Sequence, residues 1–309
     1  MKEILKYYYK NSKIGNKLLY LPKIIRDLFY FIKTKNLTDE EFIKLRYKIN
    51  LNKEINLTEP ILFTEKIQWL KLNDRNELYT QCADKYLVRR YVEDKIGSNY
   101  LIPLLFETKD YQDIKSSNLP EYPVIIKTNH DSGGVFIIDD KNSINFLKIR
   151  REIKKRLLKS HYSISREWEY KNIKPRIIVE KLLKDSSGNN QLNDYKIYCF
   201  HGEPTFIQTI FDRGNETKED WYDTNWNLQD AYYFSAKKKY VKKPKQLDEL
   251  LKVAKKLSKD FPYVRVDLYI VDNKIYFGEL TFRPYGGFMK FVPESFDNDL
   301  GKYLDLNKI

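Results

Sequence analysis

Cysteine and histidine are scarce in this chain of 309 residues, with two of the first and three of the second. Cys82 and Cys199 stand far apart with no partner pattern, which excludes a disulfide framework and a cysteine-rich zinc site and fits a reducing cytoplasm. His130, His161 and His201 fall in different segments, so no metal-binding spacing joins them and each is expected to be structural or at the surface. Eleven Gly and eleven Pro are too few for a low-complexity linker, and no repeat of fixed period is present. No G-x-x-x-x-G-K-[ST] occurs and no G-x-G-x-x-G opens a helix after a strand, which excludes a P-loop and argues against a Rossmann dinucleotide site. Long apolar runs are missing as well. Residues 1–13 are charged throughout, and the apolar stretch 18–32 is broken by Pro22, Lys23, Arg26 and Asp27, so neither a secretory signal nor a membrane span is expected.

Aromatic and basic residues are plentiful. Hydrophobic residues make up 42% and aromatics 15%, with 25 Tyr, which implies a folded globule with a sizeable core. The net charge is +13, and the surplus is uneven. Residues 1–50 hold 12 basic against 5 acidic side chains, with Leu, Ile and Phe at helical spacing. That reads as a helical extension packed on the main body, or alternatively as a peripheral contact with the anionic inner face of the cell membrane. Residues 237–245 put six lysines in nine positions, a loop that repels itself unless water or an anion screens it. Nucleic acid is not the expected anion, because no nucleic-acid motif or stacking platform accompanies the charge.

In chain order, residues 39–50 read as a helix with Thr38 as N-cap, 64–72 as a second, and 83–96 as a third that starts near Lys85 and ends at Gly97. Residues 124–127 form a buried strand that runs into Thr128-Asn129-His130-Asp131-Ser132-Gly133-Gly134 and a return strand at 135–138. Successive N–H groups of such a loop can wrap a phosphate, with Lys127 beside it; a plain β-turn has the same signature. A basic helix over 144–159 precedes the β-branched run 176–183, either a core strand with a charged exit or a strand whose backbone meets an adenine edge. Residues 194–200 alternate, placing Asp194, Lys196 and Tyr198 on one face. A lysine on a buried strand face needs a carboxylate or a ligand phosphate, so Lys196 is half of such a pair.

An amphipathic helix over 247–259 leads to the stretch with the densest chemistry, residues 261–288. Residues 264–269 and 274–282 alternate around Asp272-Asn273, which reads as a β-hairpin. Asp267 and Glu279 fall on its polar side, so a suitable register brings two carboxylates together and calls for a cation. Mg²⁺ suits oxygen-only ligands and is held by one or two carboxylates plus substrate phosphates. Arg265 points to the same face, where a guanidinium can hold a developing anion. A solvent-facing hairpin is the plain alternative.

The ordered set Asp84-Lys85, Lys127 with Ser132-Gly133-Gly134, Glu180-Lys181-Leu182, Lys196, Arg265-x-Asp267 and Glu279-x-Thr281 resembles the ATP-grasp superfamily. More narrowly, FTEKIQWLKLNDRN, DKYLVRRYV, NDYKIYCF, VRVDLY and FGELTF look like the TupA-like branch, named for teichuronopeptide biosynthesis and found in bacterial surface-polysaccharide loci. The similarity covers about residues 40–305. It implies an α+β ATP-grasp fold: an extension over 1–50, then a catalytic region over 51–305. Within that region, residues 120–185 would cover the nucleotide and 186–305 would hold the metal.

The resemblance further implies an ADP-forming carboxylate–amine ligase with ATP and Mg²⁺ as cofactors. By that pattern Lys127 touches the α/β-phosphates, Ser132, Gly133 and Gly134 close over the phosphates, and Glu180, Lys181 and Leu182 bind adenine. Lys196 reaches the γ-phosphate, Lys85 also meets the nucleotide, and Asp185 contacts the ribose. Asp267 and Glu279 hold magnesium. Thr281 stands where many ATP-grasp enzymes carry Asn, and its hydroxyl can ligate the metal or a metal-bound water. Arg265 stabilises the tetrahedral oxyanion, and Arg283 either binds the acceptor carboxylate or forms a loop ion pair. The expected partners are an acidic sugar or polysaccharide precursor and an amino acid or amine. Two other readings stand beside this one: a glycosyltransferase using Asp297-Asn298-Asp299 as a D-x-D metal motif, and a non-catalytic nucleotide-binding protein.

Overall fold

The computed structural model describes residues 34–186, 192–211 and 217–309. Residues 1–33, most of the expected basic extension, lie outside the described residues, and the membrane alternative with them. The chain divides into two compact units, residues 1–46 and 47–309. Helix α1 (Asp39–Leu51) begins at a capping box: the Thr38 hydroxyl accepts the Glu41 amide at 3.2 Å, and the Glu41 carboxylate accepts the Thr38 amide at 2.8 Å.

The expected helix over 83–96 starts only at Val88 in the structure, and Ala83 is the last residue of a separate helix. After α2 (Phe63–Asn73), α3 (Glu77–Ala83) stops at Asp84, and α4 (Val88–Ile96) starts four residues later. Asp84 causes the break, because its Oδ1 accepts the amides of Tyr86 at 2.8 Å and Leu87 at 3.2 Å. A short polar side chain that bonds to its own downstream backbone competes with helix continuation. Lys85 therefore sits in a fixed turn rather than on a helix face.

Strands β1 (Leu104–Thr108), β2 (Val124–Thr128), β3 (Val135–Ile138) and β4 (Ile177–Lys181) form an antiparallel sheet in the order β1-β4-β2-β3. Val124, Ile126, Ile177 and Val179 point to one face and join Ile153 of α5 (Phe146–Leu157) in an apolar core. Lys127, Ile178 and Glu180 point to the other. The four-residue helix α6 (Tyr162–Ser165) lies between α5 and β4.

The second sheet has six antiparallel strands in the order β10-β9-β5-β6-β7-β8. They are β5 (Asn193–Phe200), β6 (Glu203–Phe211), β7 (Lys218–Asp223), β8 (Leu228–Gln229), β9 (Tyr263–Val271) and β10 (Lys274–Thr281). Neither β7 nor β8 is expected from the sequence. Helix α7 (Leu247–Ser258) covers one face through Leu250, Val253, Ala254 and Leu257, against Ile197, Val264, Val266 and Leu268. The opposite face is divided along its length. Tyr198, Phe200 and Tyr263 join α2 and α8 (Ser295–Tyr303) in an aromatic core, whereas Asp194, Lys196, Arg265 and Asp267 continue the same face as a charged surface.

Candidate active site

Strand alternation delivers the charges, and register brings them together. Lys196 is the cross-strand partner of Asp267, and Asp267 is in turn the partner of Glu279. The Arg265 guanidinium grips Asp267 with Nε to Oδ1 at 2.6 Å and Nη2 to Oδ2 at 2.7 Å. Its Nη2 also donates to the Thr281 hydroxyl at 3.0 Å and lies 3.4 Å from the Glu279 carboxylate. The Lys196 ammonium joins the Asp194 carboxylate at 2.9 Å and bonds to Asp267 Oδ2.

Asp267 is only 1% exposed. Burial alone would raise its carboxyl, but the Arg265 guanidinium and the Lys196 ammonium hold it below the usual carboxylate range. Burial likewise works against the Lys196 charge, and the Asp267, Asp194 and Glu279 carboxylates outweigh it, so Lys196 stays cationic with a raised pKa. The five groups carry two positive and three negative charges.

Across the cavity, the Glu180 carboxylate takes Lys127 Nζ at 2.7 Å and Arg89 Nη1 at 3.0 Å, while Arg89 Nη2 donates to the Ile102 carbonyl. The glycine loop is ordered by Asp131. Its carboxylate accepts the Thr128 hydroxyl and Arg156 Nη1, the latter at 2.7 Å, and its carbonyl accepts Lys85 Nζ at 2.5 Å. Gly134 is required by space: a Cβ there would lie 1.9 Å from Thr128 Oγ1. Burial pulls the Lys85 pKa down, against the pull of Glu279 and Asp131.

Both walls enclose a cavity of about 930 Å³ in the second unit. Two carboxylates on facing strands, one of them half exposed at Glu279, offer the hard oxygen donors that Mg²⁺ takes when phosphates and water supply the rest of its shell. Among the described residues no cluster of three or more His, Cys, Asp or Glu could form an all-protein cage.

The family described as TupA-like ATPgrasp matches residues 65–305. The chain belongs to that family. TupA-like ATP-grasp proteins are α+β, ADP-forming ligases that use ATP and Mg²⁺ and join a carboxylate to an amine. Solved structures similar to the chain include D-alanine–D-alanine ligase from Bacillus anthracis, at 19% identity and a TM-score of 0.43, covering 74% of this chain and 68% of that one. The same ligase from Helicobacter pylori matches at 15% and 0.39, over 79% and 67%, and the ATP-grasp ligase PsnB complexed with minimal precursor at 10% and 0.38, over 78% and 67%. No curated protein matches the chain.

Of the ATP-grasp positions read from the sequence, Lys85, Lys127, Ser132, Gly133 and Glu180 line the cavity on one side. Lys196, Arg265, Asp267, Glu279, Thr281 and Arg283 line it on the other. Gly134, Lys181, Leu182 and Asp185 are not in its lining. Gly134 shapes the loop from behind. The Lys181 and Leu182 amides donate to the Pro103 and Pro123 carbonyls at 3.0 and 3.1 Å, so the strand exit is tied to neighbouring backbone. Asp185 lies beyond the end of β4.

Arg283 is 3% exposed and lies over the Tyr79 ring, with Nη1 on the Phe282 carbonyl. Its Nε has no hydrogen-bond partner among the described residues. The Arg283 charge is the first that opposes burial at the Glu169 carboxyl, whose pKa burial raises. His161, expected to be structural or at the surface, lines the cavity beside Glu167 and Tyr170, its ring 3.6 Å from the Glu167 carboxylate. Sequence reading also missed Arg89 and Asp131. Asp194 had a signal, since it shares the Lys196 face by alternation. Arg89 had none, because its role depends on where α4 meets β4.

Asp297 and Asp299 lie outside the cavity lining. Asp297 is buried in the first turn of α8 and accepts the Thr64 amide and hydroxyl at 2.9 and 2.6 Å, while Asp299 pairs with Lys302 on the same helix. Among the described residues no helix is long and apolar enough to cross a membrane.

Proposed function

We propose that this ligase activates a uronic-acid carboxyl with ATP and joins it to an amino acid or amine during the assembly of a bacterial surface polysaccharide of capsule, O-antigen or teichuronic type. The observation that carries the assignment of residues is the pairing of Lys196, Arg265, Asp267 and Glu279 on one cavity wall opposite Lys127, Glu180 and the glycine loop.

Lys127, with Lys85 and the amides of Ser132 and Gly133, binds the phosphates, and Lys196 neutralises the γ-phosphoryl oxygens. Gly134 sets the loop's shape. The segment Glu180, Lys181 and Leu182 borders the adenine, and Asp185 the ribose. Asp267 and Glu279, with the Thr281 hydroxyl, would hold Mg²⁺, which when bound offsets the charge of the phosphates.

The substrate carboxylate oxygen attacks the γ-phosphorus, the bond to the ADP oxygen breaks, and an acyl phosphate forms. The amine nitrogen then attacks the acyl carbon, Arg265 holds the developing oxyanion, and the bond to phosphate breaks as the amine loses a proton. Arg283, which lines the cavity and whose Nε has no partner among the described residues, binds the carboxylate of an amino-acid acceptor.

Calorimetry of ATP with magnesium tests this, comparing the parent protein with Asp267→Asn/Glu279→Gln and with Lys196→Ala. Micromolar binding that weakens at least tenfold in both variants is expected, followed by ADP release when amino acids and uronic acids are supplied together. Absent binding by folded protein, or binding indifferent to all three residues, would remove the assignment.

A further inference from the structure

The stretch of chain from α6 toward β4 has no part in the phosphate chemistry, yet His161, Glu167 and Tyr170 all line the cavity. The His161 ring meets the Tyr170 ring edge to face, with centroids 4.5 Å apart, and this contact holds the imidazole beside the Glu167 carboxylate. Their separation, 3.6 Å from His161 Nε2 to Glu167 Oε1, is too long for a hydrogen bond. Glu167 is 7% exposed, and among the described residues its carboxylate has no hydrogen-bond partner. A carboxylate so far withdrawn from water costs stability unless donors reach it, and here they can come from the cavity.

The segment that follows β10 lies against this stretch. Lys71 joins the two by bonding to the Ser165 and Gly286 carbonyls at 3.1 and 2.7 Å, and a Cβ on Gly286 would lie 3.7 Å from Glu167 Oε1. Three residues before Gly286 stands Arg283, a buried cation on the cavity wall whose Nε has no partner among the described residues. The buried Glu169 carboxyl feels both groups: burial raises its pKa, the Arg283 charge opposes that rise, and the Glu167 charge adds to it. Tyr170 ties the same corner to the magnesium wall, since its pKa is raised by burial and then by the carboxylates of Glu167, Glu279, Glu169 and Asp131.

A carboxylate that lacks donors, near a guanidinium that lacks an acceptor, matches a molecule carrying both an ammonium and a carboxylate group. We propose that Glu167, with His161 Nε2 beside it, binds the ammonium group of the acceptor while Arg283 holds its carboxylate, so that the acceptor is an amino acid and not a simple amine. This rests on the ligase function, which needs an amine in the cavity. An ammonium group has three donors and can meet the Glu167 carboxylate together with an imidazole nitrogen, which accepts when the ring proton is on Nδ1. A simple amine would leave the Arg283 Nε unsatisfied, and a dicarboxylate would set a second anion against Glu167.

The test titrates the full chain, in the presence of Mg-ATP, with the standard amino acids and their D-enantiomers, each beside its decarboxylated amine and its N-acetyl derivative. At least one amino acid is expected to bind, and both of its counterparts to bind about tenfold more weakly or worse. Glu167→Gln should narrow the gap between the amino acid and its N-acetyl derivative, and Arg283→Gln the gap between the amino acid and the amine, while Mg-ATP affinity matches the parent's. His161→Phe, which keeps a ring against Tyr170, should weaken the amino acid more than the N-acetyl derivative. No amino acid bound by protein that binds Mg-ATP, an amine bound as tightly as its amino acid, or a preference for the free ammonium that survives Glu167→Gln overturns the proposal. If Mg-ATP fails to bind while the amino acid behaves as described, the acceptor site stands and the ligase assignment falls.

Discussion

Asp267 and Glu279 face each other across the β9–β10 hairpin because β10 carries one residue more than β9 between them and the turn. Phe277 pairs with Leu268 and Glu279 with Asp267, leaving Gly278 as the bulged residue. In an unbroken ladder Gly278 would oppose Asp267, and Glu279 would oppose Val266 on the apolar face under α7. The bulge therefore moves one carboxylate from the core side to the cavity side.

Gly278→Ala tests that dependence. A Cβ at this position would lie 2.9 Å from the Asp267 carbonyl oxygen and 2.8 Å from the Tyr269 ring, and the carbonyl is backbone that cannot rotate away. Denaturant unfolding should show a loss of about 1–3 kcal/mol, typical of overpacking. Magnesium should also assist ATP binding less than in the parent. Parent-like values on both counts would mean that the hairpin accommodates the side chain and that the bulge is not required.

How much of this could be read in advance differs between local and long-range features. Alternation placed Asp194, Lys196, Arg265 and Asp267 on one strand face, and the resemblance put the catalytic positions in order. The polar-side position expected for Glu279 holds only because of the bulge: strict alternation from Ile275 through Phe277 would carry it inward, and nothing local says that Gly278 is extra. The break at Asp84 was also hidden, because the run 83–96 has helical spacing and the capping bonds depend on one rotamer. β7 escaped notice because Glu219 and Asp220 look like surface charges until the loop that saturates them is in place.

Lys85 provides a titration test. Burial lowers its pKa in the nucleotide-free protein, so at alkaline pH part of the population is neutral. A phosphate brought beside it favours the ammonium and raises the pKa again. Nucleotide binding should then take up a proton between the lowered and the ordinary values, visible as binding heats that differ between buffers of unlike ionisation enthalpy. Lys85→Met should abolish the difference. Identical heats in the parent protein would place Lys85 away from the phosphates.

Lys71 is a positioning residue that the sequence did not single out. It is 1% exposed, and its ammonium bonds to the Gly286 carbonyl at 2.7 Å and the Ser165 carbonyl at 3.1 Å, tying α2 to two segments at the cavity. Lys71→Met should cost about 1–3 kcal/mol of stability, the usual range for a lost charged hydrogen bond. Once an acceptor amine is known, its KM should rise while ATP affinity holds. A fall in ATP affinity with an unchanged acceptor KM would contradict the placement.

Asp297 decides whether the D-x-D tripeptide has a metal role. Burial pushes its pKa from 3.8 up to about 6, even though the Thr64 amide and hydroxyl favour the charged form. A carboxyl whose pKa is higher in the folded state binds its proton more tightly there than in the unfolded chain. Its contribution to stability is therefore fully present below the unfolded value and declines as pH rises through about 6. Asp297→Asn cannot ionise and keeps an oxygen for the Thr64 amide, so its unfolding free energy should gain on the parent's across that interval, by on the order of 2–3 kcal/mol for a shift of this size. ATP binding should not change, since Asp297 is outside the cavity. A constant stability difference from acid to neutral pH would mean that Asp297 titrates alike in the folded and unfolded chain, so that the Thr64 bonds and the Lys53 ammonium offset its burial in full.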